Sequence, residues 1–143
     1  MRPVDYVVAA AFCVAMALAV NAAGQITGPR ASPLTIDSMY GPDLFQFYCA
    51  ACHGKDGKGN GPVARMLKDA PADLTLIAKR NGGVFPKSRV ESYVTGDAPG
   101  AEAHGSKDMP VWGPIFRFLD PSDLKVKVRI ANIVAHLESI QMK

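Results

Sequence analysis

The chain has few of the residues that build most reactive sites: 3 cysteines and 3 histidines in 143 residues. His104 and His136 stand apart from any cysteine, so the second Cys/His pair that a zinc knuckle wants is missing. No stretch alternates apolar and polar residues convincingly, which counts against a sheet and points to a mainly helical chain. Charge is also sparse. With 20% charged residues and a formal net charge of +3, the balance is too small to suggest nucleic-acid binding, and a mildly acidic partner surface fits it better. Nor does the run from Tyr6 to Val20, about 15 residues long, reach the roughly 20 that span a bilayer comfortably.

What is present divides the chain into three parts. Residues 1–23 combine a short lead carrying Arg2, the apolar run, and small residues at Asn21-Ala22-Ala23-Gly24, the pattern of a secretory signal peptide cut near Ala22 or Ala23. The weakly basic lead leaves a second reading open, an uncleaved anchor tethering the protein to a membrane through residues 6–23. Cys13 follows Phe12, which is not the small residue a lipoprotein cysteine needs, and so reads as part of this segment. Residues 24–38 are rich in Gly, Pro, Ser and Thr and read as a flexible linker. With the anchor retained, this linker would allow a reach of about 20 Å from the membrane. Residues 39–143 form the one domain, of ordinary size.

Within the domain, Pro42 and Asp43 open a short helix through Tyr48. It runs into Cys49 and Cys52, presents both sulfurs on one side, and ends at Gly54. Lys55 to Gly61 is a flexible Gly/Lys loop, and Val63 to Leu67 a single amphipathic turn. A second short helix starts in Pro71-Ala72-Asp73-Leu74-Thr75 and ends at Arg80-Asn81-Gly82-Gly83. Lys87 to Val94, stopped by Gly96, makes a third. Asp97 to Ser106 reads as polar loop, and Lys107 to Pro114 as a further irregular loop. The clearest helix is the last. Asp120-Pro121-Ser122-Asp123 caps a stretch to about Gln141 with Val126, Ile130, Ile133, Val134, Leu137 and Ile140 along one stripe. That face is expected to pack across the first helix, where Gly41 and Phe45 permit a close crossing.

The pattern that carries chemistry is Cys49-Ala50-Ala51-Cys52-His53. Two cysteines three apart with a histidine directly after the second are the arrangement by which haem c is attached. Each thiol can add to one vinyl group of the macrocycle as a thioether, and the neutral His53 imidazole then falls under the iron as proximal ligand. The competing reading is a redox dithiol of the thioredoxin kind, which needs a βαβ context that the chain does not display. Export through residues 1–23 agrees with haem c chemistry, which bacteria carry out beyond the cytoplasmic membrane.

A helix leading into this motif, Gly61-Pro62 a short way on, a Met-bearing loop and a closing helix follow in order from about Tyr40 to Gln141. In this the chain resembles the single-haem class I cytochromes c. More narrowly, Arg80-Asn81-Gly82-Gly83 with Phe85-Pro86, His104-Gly105-Ser106 and Met109-Pro110-Val111-Trp112-Gly113 looks like a group of small bacterial periplasmic or membrane-tethered cytochromes. The resemblance implies an all-α class I cytochrome c fold, with N- and C-terminal helices crossing and short helices and loops wrapped around one covalent haem c. It implies thioether attachment at Cys49 and Cys52, His53 as proximal ligand with the Pro62 carbonyl accepting its ring proton, and Met109 as distal ligand.

Pro110 biases Met109 toward extended backbone that can aim the thioether out of its loop. Met66 is the rival thioether and is expected to line the haem pocket with Leu67, while His104 would give bis-histidine ligation instead. Trp112 and Arg80 are candidates to meet a propionate, His136 reads as structural, and Lys55, Lys58, Lys87 and Lys107 would form a basic ring for docking.

The function implied is one-electron transfer by a haem c with His/Met ligation, by a carrier rather than an enzyme. Its partners would be a dehydrogenase or quinol-oxidising complex as donor and an oxidase or reductase as acceptor, with no nucleic acid involved. The location would be periplasmic, soluble or anchored to the cytoplasmic membrane. A fixed haem subunit of a larger membrane or periplasmic oxidoreductase is the second reading, and a ligand-binding haem protein with an open distal position is the third.

Overall fold

A computed structural model describes residues 34–98 and 109–142. The expected signal or anchor segment, most of the linker, His104 and Lys107 lie outside the described residues. The described chain is all-α, with no strand. No helix in it is long and apolar enough to cross a membrane.

Helix α1, Gly41–Tyr48, carries Pro42 and Asp43 in its first turn, where a missing N–H costs nothing and a negative charge meets the helix dipole. Ser38 Oγ donates to Asp43 Oδ2 at 2.6 Å and holds the entering chain against that turn. Leu44 and Phe45 point inward and are fully buried. The helix kinks at Cys49 (φ −116°, ψ −35°) and resumes as α2, Ala50–His53, which Gly54 ends.

Two 3-10 turns follow, Ala64–Met66 and Leu74–Leu76, and the second leads into α3, Ile77–Arg80. The expected turn at Val63 to Leu67 is therefore present, but it buries no residue. Helix α4, Lys87–Thr95, buries Val90 and Val94 at i,i+4 spacing and stops at Gly96 in the left-handed conformation.

The irregular loop expected through Pro114 is shorter than its sequence suggests, because helix α5, Trp112–Leu119, begins inside it. Gly113 and Pro114 look like loop punctuation. They occupy the first turn of α5, where backbone N–H groups have no intrahelical partner and a proline is tolerated. Helix α6, Asp123–Ser139, is capped by Ser122, whose Oγ accepts from Lys125 N at 3.4 Å.

Val126, Ile130, Ile133, Val134 and Leu137 of α6 are all buried, and Ile140 packs at the core's edge. The recurrence of three and four makes one apolar stripe, and each such side chain contributes about 1.5–3 kcal/mol by leaving water. The stripe crosses α1 closely. A Cβ at Gly41 would stand 2.3 Å from Asn132 O, so only a glycine lets the two backbones approach this far. Asn132 Nδ2 donates to Met39 O at 2.6 Å beside the crossing, and the His136 ring lies 5.0 Å from that of Phe45. His136 thus has the structural place expected of it. Phe116 of α5 completes the core with Phe45, Leu44, Ile133 and Val134.

Candidate functional site

The kink between α1 and α2 sets the geometry of the Cys49–His53 turn. Cys49 N donates to Phe45 O at 2.9 Å, and Cys49 O accepts from both Cys52 N (3.2 Å) and His53 N (2.9 Å). Residues three apart on such a turn share a face, so this backbone is one that can present both sulfurs on one side. Neither cysteine is in a disulfide. Burial, with the neighbouring Cys52 adding to it, pushes the Cys49 thiol up to about 12. A redox dithiol works through a thiol whose pKa is lowered, so this environment is the reverse of an activated one.

His53 is half-buried, and its Nδ1 lies 3.0 Å from the Ala72 carbonyl oxygen. A carbonyl can only accept, so Nδ1 carries the proton and Nε2 keeps its lone pair. Burial holds the imidazole below its ordinary pKa, against the opposing effect of the Ala72 bond. The ring is therefore neutral at neutral pH, oriented from one side and able to donate a lone pair from the other. That is the condition of a histidine ligand with its outer partner in place.

The acceptor differs from the one that the resemblance implies. Pro62 follows Gly61, whose N–H goes to Cys52 O at 3.0 Å, and the next residue, Val63, donates to Ala51 O at 3.0 Å. This strand of loop runs along the backbone of α2, and it is Ala72 that meets the ring. Gly59 makes the exchange possible. With φ at +80° its N–H reaches His53 O at 2.7 Å, and a Cβ there would stand 2.2 Å from Pro71 O. The absence of a side chain lets the segment bearing Ala72 come in beside His53.

That segment is tightly tied. Asp73 Oδ1 accepts from Thr75 N (2.9 Å) and Thr75 Oγ1 (2.6 Å), which holds the Asp73 carboxyl below its ordinary range. Arg80 Nη1 donates to Asp73 O at 3.0 Å. Arg80, the candidate to meet a propionate, therefore has a backbone partner one residue beyond Ala72. Sequence reasoning missed Ala72 as the acceptor, although Asp73 before Leu74-Thr75 signals a capped turn there.

Met109 lies at the start of the second described stretch and is 40% exposed, whereas Met66 is 83% exposed on its 3-10 turn. Three residues after Met109, the Trp112 ring packs on Tyr48 with centroids 5.1 Å apart, and Trp112 stacks on Phe116 at 5.4 Å. Tyr48 directly precedes Cys49, so this contact sets the start of α5 beside the end of α1. No hydrogen bond or ring contact among the described residues joins Met109 itself to His53. Lys55, Lys58 and Lys87 are exposed, and Lys58 pairs with Asp56 at 3.8 Å. No three His, Cys, Asp or Glu side chains converge among the described residues, so a zinc knuckle would need ligands from outside them.

The chain matches no protein-family model, no curated protein and no solved structure.

Proposed function

We propose that the protein is an exported one-electron carrier of the class I cytochrome c kind, with one haem c held by Cys49 and Cys52. The observation that carries this reading is the pairing of two unbridged thiols with a neutral His53, whose Nδ1 is committed to Ala72 O and whose Nε2 is available. This donor set fits the group. Each thiol would add across one vinyl, the sulfur forming a C–S bond and the thiol proton passing to the neighbouring carbon.

When bound, the haem supplies a ferric–ferrous couple that takes up or gives one electron. His53 would hold the iron through Nε2, and the Ala72 carbonyl would fix the ring and strengthen it as a donor. Met109 would supply a second protein ligand, a soft thioether that would favour the reduced state and occupy a position otherwise open to a substrate. Leu44, Phe45 and Ala50, all buried, would keep water from the attachment turn. Exposed lysines such as Lys55 and Lys87 would steer an acidic redox partner, either the periplasmic or membrane-bound donor or the acceptor.

An optical spectrum of the purified full chain, oxidised and reduced, tests this. The expected result is a weak far-red band in the oxidised protein that disappears in Met109→Ala. Prompt carbon monoxide binding by the reduced protein at neutral pH would overturn the distal assignment.

A further inference from the structure

The geometry points to Gln141 as a positioning residue for His53, an inference that rests on His53 being the iron ligand proposed above. Gln141 lies just beyond α6, at the far end of the sequence, yet its side chain is bound into the segment that carries the imidazole's acceptor. Oε1 accepts from Ala78 N at 2.8 Å. Nε2 donates to Leu74 O at 2.8 Å and to Leu137 O at 2.7 Å. One N–H and two carbonyls around the amide leave a single orientation that satisfies all three.

The chain on either side adds to the tie. Met142 N donates to Thr75 O at 2.9 Å, and the Ile140 side chain lies 2.9 Å from where a Cβ at Gly57 would be. Leu74 is thus held twice, through its carbonyl by Gln141 and through its N–H by Gly57 O at 2.7 Å. Asp73 O is held by Arg80. Ala72 sits immediately before these two fixed peptides and is itself exposed. Its carbonyl direction is set by the close approach of Gly59 on one side and by these held peptides on the other.

Removing the Gln141 amide takes a hydrogen-bond partner from both the Leu74 carbonyl and the Ala78 N–H, so the turn relaxes toward water. The Ala72 oxygen then bonds Nδ1 less well, and the imidazole becomes a weaker donor. A weaker donor stabilises the oxidised iron less, which raises the reduction potential. A merely structural role for Gln141 would lower stability and leave the potential alone.

The experiment compares Gln141→Ala with Asn132→Ala in the full-length haem-bearing protein. Asn132 also spends a side-chain amide on a backbone carbonyl, but at the α1–α6 crossing. Gln141→Ala is expected to show a more positive potential and about fivefold faster solvent exchange of the His53 Nδ1 proton by NMR, as the loss of roughly one net hydrogen bond implies. Asn132→Ala is expected to keep the parent values of both. Parent values in Gln141→Ala, or equal shifts in the two variants, overturn the assignment. Should Gln141→Ala fail to fold, Arg80→Gln removes the bond to Asp73 O from the surface and is expected to shift potential and exchange in the same direction. No shift there would overturn the inference.

A colourless protein would sink the haem reading and leave positioning to be decided by the His53 nitrogen signals. These are expected to report the Nδ1–H tautomer in the parent and a mixture in Gln141→Ala, and an unchanged tautomer would overturn the role of Gln141.

Discussion

His53 and Ala72, 19 residues apart in the chain, meet through Nδ1 and a carbonyl oxygen at 3.0 Å. This bond settles which ring nitrogen carries the proton, and with it which nitrogen keeps its lone pair. The support comes from a loop that glycine at position 59 allows to close, so the ring's orientation depends on a residue without a side chain.

Gly59→Ala is therefore expected to disturb the site more than its loop position suggests. The new Cβ would collide with Pro71 O and sit at a left-handed φ. Overpacking and backbone strain together predict a loss of about 1–3 kcal/mol of stability. The loss is measured by denaturant unfolding, with a raised reduction potential as the second readout. Unchanged values for both would contradict the placement of Ala72.

Gly41→Ala tests the helix crossing. Its Cβ would meet the Asn132 carbonyl at 2.3 Å, and that backbone cannot swing aside as a flexible side chain would. A cost of about 1–3 kcal/mol in unfolding free energy is expected.

Arg129 and Asp120 make a different kind of prediction. Arg129 is 6% exposed, its Nη1 lies 3.5 Å from Asp120 Oδ2, and its Nε has no partner. A hydrogen bond from Ser122 N leads the effects that hold the Asp120 carboxyl below its ordinary range. Asp120→Asn should lower the melting temperature clearly, because it leaves a buried guanidinium uncompensated. Arg129→Met should leave the melting temperature unchanged or raise it, because an incompletely satisfied buried guanidinium is replaced by apolar packing while Asp120, partly exposed, keeps Lys125 at 3.2 Å.

Stability should also fall as the solution is made mildly acidic. Burial beside Phe45 holds the His136 imidazole below its ordinary pKa of about 6.5. The unfolded chain then binds a proton that the folded chain resists, so stability is fully present above about pH 6.5 and is lost as pH falls toward the folded value. In His136→Gln the melting temperature should change less between pH 7 and about pH 5. An identical profile would show that His136 does not titrate on unfolding.

The parts of the fold most legible in the sequence are those whose signals are local. Ser122 before a stripe of three- and four-residue spacing specifies α6, Gly96 closes α4, and the CxxCH spacing puts two sulfurs on one turn. Gly41 and Phe45 also marked the crossing, since a small residue beside a large one on a core-facing helix suits close approach.

Helix α5 was hidden because Gly113 and Pro114 carry loop signals that are harmless in a first turn. The acceptor of the His53 proton was hidden for another reason. It is a main-chain oxygen brought in by loop closure, and no side-chain identity at Ala72 announces it. Gln141 is equally silent in sequence, since an amide after the last helical turn looks like solvent-facing polarity until the backbone groups around it are in place.

The most direct test of the account is the intact mass of the full-length protein, purified from a host able to attach haem c and measured under denaturing conditions. The account predicts a chain that keeps the added mass of one haem after unfolding and loses it when Cys49 and Cys52 are both replaced by alanine. A parent protein with the mass of the bare polypeptide would contradict it.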